Sequence, residues 1–187
     1  MRDVLGGNKY YRNYVKSLNL KPNQKFLDVG CGPGTLLHFL PNNIEYFGID
    51  MQQNYINYCH KNFGDKGNFF CERIESFDSP NWENYFDVIN VHGLLHHIDD
   101  NSAIHLLKKC ATYLKHNGFI VTVDTVFHKG QSKLELWFVS KDRGQNIKTE
   151  KEYLNLAQKL GFKVQSKLIT NHIYIPYSQF EMRLQVQ

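Results

Sequence analysis

Long apolar runs, paired cysteines and clusters of basic residues are all missing from this 187-residue sequence. No run approaches the roughly 20 apolar residues of a membrane-spanning helix, and the first residues show no signal-peptide pattern. The four cysteines stand singly, without C-x-x-C pairs, which is typical of reduced thiols rather than of disulfides or zinc sites. We therefore expect a cytoplasmic protein with no membrane partner.

The charge balance and the composition further narrow the class of protein and the partners that we expect. The formal net charge of +4 is mild and no block of basic residues occurs, so the sequence favours no nucleic-acid partner but tolerates an anionic substrate. Hydrophobic residues make up 42% of the chain, which is enough for a single core. We expect one domain over residues 1–187, acting on a small-molecule substrate as a monomer or homodimer.

The most informative segment is a glycine loop. Residues 26–34 read Phe-Leu-Asp-Val-Gly-Cys-Gly-Pro-Gly, an apolar run followed by glycines at alternate positions. Sixteen residues beyond Gly34, a second apolar run closes on Asp50. A buried strand, a glycine turn and an acid at the tip of the next strand form a nucleotide-type cofactor site, in which Asp50 accepts hydrogen bonds from two ribose hydroxyls.

The spacing of the glycines distinguishes between cofactors. A dinucleotide site needs G-x-G-x-x-G, whereas this loop reads G-x-G-x-G, with Thr35 three positions beyond Gly32. Asp28 also precedes the first glycine by two positions, where a carboxylate repels a pyrophosphate but suits an ammonium and a sulfonium. The pattern D-x-G-x-G-x-G resembles the signature of class I S-adenosylmethionine-dependent methyltransferases, and the chain resembles their small-molecule branch.

The resemblance implies S-adenosyl-L-methionine as the cofactor and S-adenosyl-L-homocysteine as its product. Asp28 would orient the methionine amino group, Met51 would pack on adenine, and Asn90 would face the methyl group. Asp50 could instead cap the following helix, Met51 could be core packing, and either Glu72 or Ile74 could meet the adenine. The full expected set of cofactor residues is Asp28, Gly30, Cys31, Gly32, Gly34, Asp50, Met51, Glu72, Arg73, Ile74 and Asn90.

The periodicity predicts an α/β fold, a Rossmann-like three-layer sandwich. Strands alternate with helices, which favours a parallel sheet covered on both faces. The last two strands have no helix between them, so they form a hairpin with one antiparallel strand; the resemblance likewise implies seven strands with one reversed. The expected helices cover residues 8–18, 35–40, 52–62, 102–114 and 149–160, and the expected strands cover 25–29, 46–49, 69–71, 86–91, 119–123, 162–169 and 178–186.

Candidate bases follow the fourth strand. The segment from Val91 to His97 resembles the L-H-H segment of the small-molecule branch, and His92 and His96 would share one face if the segment were helical. His128 is a further candidate base, and each histidine could instead be satisfied by local backbone groups. A zinc site would need a third ligand and an H-E-x-x-H frame, so we expect no metal.

Substrate residues are expected outside the sheet. A cap helix within residues 1–20 and a polar stretch at 124–147, a possible lid, are the segments most suited to this role. Arg143 could clamp an anionic group or simply belong to a polar turn. The candidates are Tyr10, Tyr11, Trp137, Arg143 and Tyr177, with Tyr174 beside the last of them.

The predicted activity is transfer of a methyl group to an oxygen or nitrogen of a small molecule by in-line displacement. Nucleic-acid amino-methylating enzymes carry two prolines and an aromatic residue after the fourth-strand Asn or Asp, whereas this chain continues from Asn90 as Val-His-Gly. Two alternatives remain from other classes: a non-catalytic cofactor-binding regulatory or scaffold subunit, and a nicotinamide-dependent oxidoreductase.

Overall fold

A computed structural model describes residues 7–170 and 176–186, so Tyr174 and the first six residues of the predicted cap lie outside the described residues. The strands are β1 Lys25–Val29, β2 Glu45–Asp50, β3 Asn68–Cys71, β4 Phe86–His92, β5 Leu114–Phe127, β6 Lys148–Thr149, β7 Lys163–Ile169 and β8 Gln179–Gln185. The α-helices are α1 Gly7–Leu18, α2 Gln53–Phe63, α3 Asp100–Tyr113, α4 Lys133–Ser140 and α5 Glu150–Lys159. Each helix in the described ranges is too short or too polar to cross a bilayer.

The strands form one sheet in the order β3-β2-β1-β4-β5-β8-β7, with β6 paired to the end of β5. β8 runs antiparallel to both β5 and β7, and the remaining pairs are parallel. The predicted sheet with one reversed strand in the final hairpin is confirmed. Strand order reverses between β1 and β4, and ligands of such folds bind at the carboxyl ends of the strands at that point.

Helices cover both faces of the sheet, and their buried side chains divide the core in two. On one face, Tyr14 of α1 and Ile56 of α2 pack with Phe26 and Val121 of the sheet. On the opposite face, apolar residues of α3 and α5 pack with Ile120 and other strand residues. The two faces therefore meet different helices, and α1 lies on the same face as α2.

The helix predicted over residues 35–40 is wrong. The structure has only a short 3-10 helix there, Thr35–His38. Pro41 follows so soon after Gly34 that fewer than two α-helical turns fit between them, and such a short segment gains too few hydrogen bonds to offset nucleation. The glycine loop is consequently followed by a compact turn rather than by a full helix.

The structure also differs from the prediction after α3. α3 begins at Asp100 and ends at Tyr113, against the predicted range 102–114, and Gly118 lies inside β5, where a Cβ would come 2.8 Å from the Asp87 carbonyl oxygen. β5 is longer than predicted, so the first four residues of the 124–147 stretch belong to the sheet. α4 was not expected either, because it buries only Glu135 and Val139 and so lacks an apolar stripe. The capping box of Thr149 and Glu152 at the start of α5 is confirmed.

Candidate cofactor and substrate site

The glycine loop leaves open space beside its backbone. Gly30 and Gly32 have φ angles of 74° and 52°, in the left-handed region that glycine tolerates best. A Cβ on Gly30 would approach Leu94 to 3.3 Å, whereas one on Gly32 would meet no protein atom within 4 Å. The space next to Gly32 is therefore free for a ligand that approaches the main chain.

Every N–H of this loop, all of which the structure describes, already donates to a protein oxygen. Pro33 has no N–H, and the others donate as follows: Gly30 and Cys31 to the Ile49 carbonyl at 2.8 and 3.1 Å, Gly32 to Asp50 Oδ2 at 2.9 Å, and Gly34 to the Cys31 carbonyl at 3.0 Å. A pyrophosphate site depends on loop N–H groups and a following helix N-terminus that point at the ligand. This loop offers neither, which disfavours a dinucleotide.

Asp50 connects the loop to the next helix. Its Oδ2 accepts from the Gly32 N–H, and its Oδ1 accepts from the Gln52 N–H at 2.8 Å, just before α2 begins. Asp50 does not cap α2, because Gln52 is the residue before that helix and no side chain caps it. The contact with the Gln52 N–H is instead a local turn closed by the Asp50 side chain. Each carboxylate oxygen has a second lone pair, which leaves capacity for two ligand hydroxyls.

A cleft of about 100 Å³ lies beside Asp50, at the carboxyl ends of β1 and β2. Small-molecule sites usually measure roughly 300–1,000 Å³, so this cleft suits a ring-sized part of a ligand. The cofactor residues that the structure brings together here are Gly30, Asp50, Met51, Glu72, Arg73 and Ile74. Leu94 and Ile98, which add apolar walls, were missed; their only signal was their position after β4.

Both candidates for the adenine contact line this cleft. The Ile74 side chain is buried and forms a wall, while exposed Glu72 accepts a hydrogen bond from Ser76 Oγ at 3.0 Å. Met51 is 59% exposed at the rim, so core packing does not explain it. Arg73 pairs with Glu75 at 3.3 Å.

A buried hydrogen-bond chain lies under the same end of the sheet. Asn90 Nδ2 donates to Asp28 Oδ1 at 2.6 Å, and the Tyr46 hydroxyl donates to Asp28 Oδ2 at 2.7 Å. The Tyr14 hydroxyl donates to Asn90 Oδ1. Burial raises the pKa of Asp28 to about 6, although the hydrogen bonds from Asn90 and Tyr46 lower it. The sequence did not predict Tyr14 and Tyr46 as hydrogen-bond partners of Asn90 and Asp28, because the spacing of the two tyrosines indicated only core positions.

Cys31 and Gly34 face the core. A Cβ on Gly48 would come 3.0 Å from Cys31 Sγ, and one on Gly34 would come 2.8 Å from the Phe63 ring. Burial also raises the pKa of the Cys31 thiol, which therefore stays protonated. The structure shows packing roles for these two of the predicted cofactor residues.

His92, a predicted base, lies against α1. Its Nε2 is 2.6 Å from the Tyr10 hydroxyl, and the Tyr14 ring lies 5.2 Å away, centroid to centroid. The Tyr11 ring is 6.0 Å from His92 and stacks on Phe39. Burial raises the pKa of Tyr10, so its hydroxyl stays protonated beside His92. The structure thus brings the predicted substrate residues Tyr10 and Tyr11 together with His92.

His96 lies in a different environment, and the segment from His92 to His96 is not a single helix, so the two rings do not share a helix face. β4 continues to His92, Gly93 turns the chain at a φ of 70°, and His96 sits in a 3-10 helix, Leu95–His97. His96 is buried, with Nδ1 2.8 Å from Asp124 Oδ1 and Nε2 3.5 Å from Asp142 Oδ1. Two carboxylates therefore flank the ring and fix its orientation.

The turn at residues 141–146 packs on His96. The Asn146 N–H donates to the His96 carbonyl at 2.9 Å, and Asp142 accepts from the Gly144 N–H at 2.7 Å and from the Tyr177 hydroxyl. Burial raises the pKa of Asp142, but these hydrogen bonds outweigh it and hold the pKa below its usual range. One nitrogen each of His96 and His97 and an oxygen of Asp142 lie within 4.8 Å of one another, so these residues could hold a metal ion. Protein donors already satisfy both Asp142 oxygens.

The remaining predicted residues surround α4 and this turn. His128 Nε2 lies 3.1 Å from Ser178 Oγ and 3.4 Å from Glu135, and its Nδ1 lies 2.9 Å from the Lys129 carbonyl, so the ring joins α4 to the chain before β8. Trp137 is on the outer face of α4, 54% exposed. Arg143 is exposed, directly beside Asp142. Tyr177 is held against Asp142 and Thr125.

The fold and the loop define a class, the Rossmann-like methyltransferase fold. Solved structures with this fold include the YcgJ protein of Bacillus subtilis, at a TM-score of 0.74 and 13% identity over 96% of this chain and 99% of that one. The plantazolicin methyltransferase BpumL, solved with S-adenosylhomocysteine, gives a TM-score of 0.71 at 20% identity over 97% and 84% of the two chains. These identities establish the fold only.

Sequence comparison is more specific. Residues 26–118, 93 of the 187, match the family described as "Methyltransferase domain". A phosphoethanolamine N-methyltransferase of Triticum aestivum is 29% identical over 84% of this chain and 31% of its own length. A ubiquinone biosynthesis O-methyltransferase of Bradyrhizobium diazoefficiens is 32% identical over 60% of this chain and 44% of its own length. The chain spans about a third of the first-named relative.

Proposed function

We propose that this protein is an S-adenosylmethionine-dependent methyltransferase that acts on an oxygen or nitrogen of a small molecule. The observation that carries the proposal is the cleft beside Asp50, joined to a glycine loop whose N–H groups are all occupied within the protein. Such a loop suits a cationic adenosyl ligand and not linked phosphates. The relatives named phosphoethanolamine N-methyltransferase and ubiquinone biosynthesis O-methyltransferase support a small-molecule substrate.

The residues present fit this cofactor. Asp50 would hold the ribose hydroxyls, Ile74 and Met51 would enclose the adenine, and Glu72 would stand at its edge. The open space beside Gly32, where a side chain would otherwise lie, would admit the chain that joins adenosine to methionine. Asp28 and Asn90 would set the charge near the amino group. When bound, S-adenosylmethionine supplies a methyl group on a sulfonium, an excellent leaving group.

The protein mainly has to align the nucleophile with that methyl carbon. Orientation of this kind can supply roughly 7–11 kcal/mol of the barrier. The Tyr10–His92 pair is the best-placed proton acceptor: the Tyr10 oxygen accepts a proton from the nucleophile while its own proton passes to His92 Nε2. Tyr11 would border the same opening.

We propose that the other predicted residues position the substrate and the segments around it. His96, flanked by Asp124 and Asp142, would hold the turn that carries Arg143 and the adjoining Tyr177, and Arg143 would meet an anionic substrate group. His128 would hold the inner side of α4 in place, and Trp137 would lie on the outer side of α4. Residues 128–147 would border the substrate. All four cysteines are unpaired, which supports a reducing, cytoplasmic setting.

Calorimetric titration with S-adenosylmethionine, S-adenosylhomocysteine and NAD tests the cofactor. We expect both adenosyl ligands to bind and NAD to bind weakly or not at all; tight NAD binding alone would refute the proposal. A metabolite screen by mass spectrometry, scored for the gain of one CH₂ group, then tests turnover. Cofactor binding without turnover in any extract would favour the regulatory-subunit alternative.

A further inference from the structure

Few buried side-chain oxygens lack a hydrogen-bond partner in the part of the chain that the structure describes. Among residues 7–170 and 176–186 there are four such atoms: Thr122 Oγ1, Asp124 Oδ2, Gln179 Oε1 and Glu181 Oε2. A buried acceptor without a donor is costly, and each one in a native protein calls for an explanation, such as a catalytic role or a bound water, ion or ligand. The four atoms lie on two strands: those of Thr122 and Asp124 on β5, and those of Gln179 and Glu181 on β8.

Gln179 and Glu181 point to the same face of the sheet. They are two residues apart on β8, and their cross-strand partners on β5 are Thr125 and Val123. Directly paired residues share a face, and Val123 packs in the core with Tyr14 of α1. The two acceptors therefore lie on the α1 face, whereas Thr122 and Asp124 alternate to the other face.

The α1 face carries the Tyr10–His92 pair as well. Glu181 acts electrostatically on the phenols of both Tyr10 and Tyr14, and Gln179 hydrogen-bonds with Tyr10. The Tyr10 hydroxyl is in turn 2.6 Å from His92 Nε2. The side chains of Gln179 and Glu181 therefore both act on Tyr10, the proposed proton acceptor.

The carboxylate of Glu181 is only partly neutralised. Its Oε1 lies 2.9 Å from Lys167 Nζ, and the Glu181 side chain is 14% exposed. Its Oε2 and the amide oxygen of Gln179 can only accept hydrogen bonds. A hydroxyl brings one donor and an anion brings none, whereas an ammonium brings three.

We infer that the substrate is an amine, held by Gln179 Oε1 and Glu181 Oε2 beneath α1 with its nitrogen facing Tyr10. This inference rests on the proposed function and chooses nitrogen over oxygen as the methylated atom. Two N–H groups of the ammonium donate to the two acceptors, and the third proton leaves to the Tyr10–His92 pair. The lone pair so freed forms the C–N bond, while the C–S bond breaks and its electron pair stays on sulfur.

Matched pairs of probes test the inference with the full chain loaded with S-adenosylhomocysteine. Ethanolamine, butylamine and benzylamine are compared with ethylene glycol, butanol and benzyl alcohol by calorimetry or saturation-transfer NMR. We expect at least one amine to bind at least tenfold more tightly than its alcohol counterpart. Equal binding of amines and alcohols, or no amine binding by a protein that binds S-adenosylhomocysteine, would overturn the inference. Loss of S-adenosylhomocysteine binding itself would instead count against the proposed function.

Variants separate recognition from packing. Glu181→Gln should weaken amine binding at least tenfold and leave S-adenosylhomocysteine affinity within twofold. Glu45→Gln is the matched control, because Glu45 is exposed and paired with Lys25 at 3.9 Å, at the far end of β2. Lys167→Ala removes the other partner of Glu181 and should retain or strengthen amine binding. An equal loss in Lys167→Ala and Glu181→Gln would mean that the pair matters only for folding, against the inference.

Discussion

The Tyr10 hydroxyl lies 2.6 Å from Nε2 of His92, which joins the first helix to the end of the central strand β4. Both residues stand on the sheet face that also presents Asp28 and Asn90, so the pair borders the expected position of the methyl group. A phenol held protonated beside an imidazole can pass on a proton without becoming charged itself. This geometry is the basis of the catalytic role that we propose for α1, in addition to its cover of the core.

Tyr10→Phe tests that role. Loss of the hydroxyl removes the proton path, and we expect turnover to fall roughly 100-fold, a typical contribution of acid–base catalysis. Cofactor affinity should stay within twofold, since Tyr10 does not line the cleft beside Asp50. Single-turnover kinetics with an accepted substrate measure the effect, and Tyr55→Phe, an exposed tyrosine of α2, is the control. An unchanged rate would leave Tyr10 with a packing role only.

Asp50→Ala should weaken S-adenosylhomocysteine binding at least tenfold, about 1.4 kcal/mol. The variant also loses the hydrogen bonds to the N–H groups of Gly32 and Gln52, so some of the loss reflects loop order. Asp50→Asn separates the two effects, because one amide oxygen can still accept while the negative charge is gone. Calorimetry of both variants, with Asp65→Ala as an exposed control, gives the comparison. Full affinity in the alanine variant would remove Asp50 from the site.

Asp28 should give stability a pH dependence of unusual sign for a carboxyl group. Its pKa is raised to about 6 in the folded protein, so the folded state binds more protons than the unfolded state between pH 4 and 6. Stability is therefore greatest below the unfolded pKa and falls as pH rises through 6, by roughly 3 kcal/mol from this group. Asp28→Asn should flatten that slope in urea titrations at several pH values. Identical slopes in both proteins would contradict the prediction.

Gly144→Ala should destabilise the turn over His96. A Cβ there would clash with the His96 ring and come 2.8 Å from the His96 carbonyl oxygen. Overpacking of this kind costs about 1–3 kcal/mol, or several degrees in Tm. In a double-mutant cycle with His96→Ala, the combined loss should be smaller than the sum, because the ring contact is already gone. Strict additivity would show that the turn does not depend on His96.

Arg143→Ala should raise KM roughly tenfold for an anionic substrate, as expected for loss of one charge-assisted contact. kcat should change little, because the residue stands on the turn and not at the Tyr10–His92 pair. Lys141→Ala is the matched control, an exposed cation two residues away on the same turn. Equal effects of the two variants, or none, would mean that Arg143 is simply a polar turn residue.

Local patterns predicted the parts of the structure that local chemistry determines. The glycine loop, Asp50, the alternation of strands and helices and the capping box of Thr149 all have signals within a few residues. The reversed strand could also be predicted, since two strands without a helix between them have to run antiparallel. The match of residues 26–118 to a methyltransferase family agrees with that pattern.

Features that depend on distant residues were not predictable. The Asp28–Asn90–Tyr14 chain joins β1, β4 and α1, and nothing near Tyr14 indicates that its hydroxyl has a polar partner. The position of His96 between Asp124 and Asp142 likewise requires residues 28 and 46 positions further along. α4 was missed because its apolar residues Leu134, Leu136 and Trp137 face solvent, which destroys the amphipathic pattern.

The strand β8 follows β7 in the chain but is inserted between β5 and β7 in the sheet. β7 pairs with no strand other than β8 among the described residues, so β7 is held to the rest of the sheet only through β8. The acceptors Gln179 and Glu181 reach their positions when β8 pairs with β5 on one side and β7 on the other. The strand that carries the two acceptors therefore also anchors the edge of the sheet.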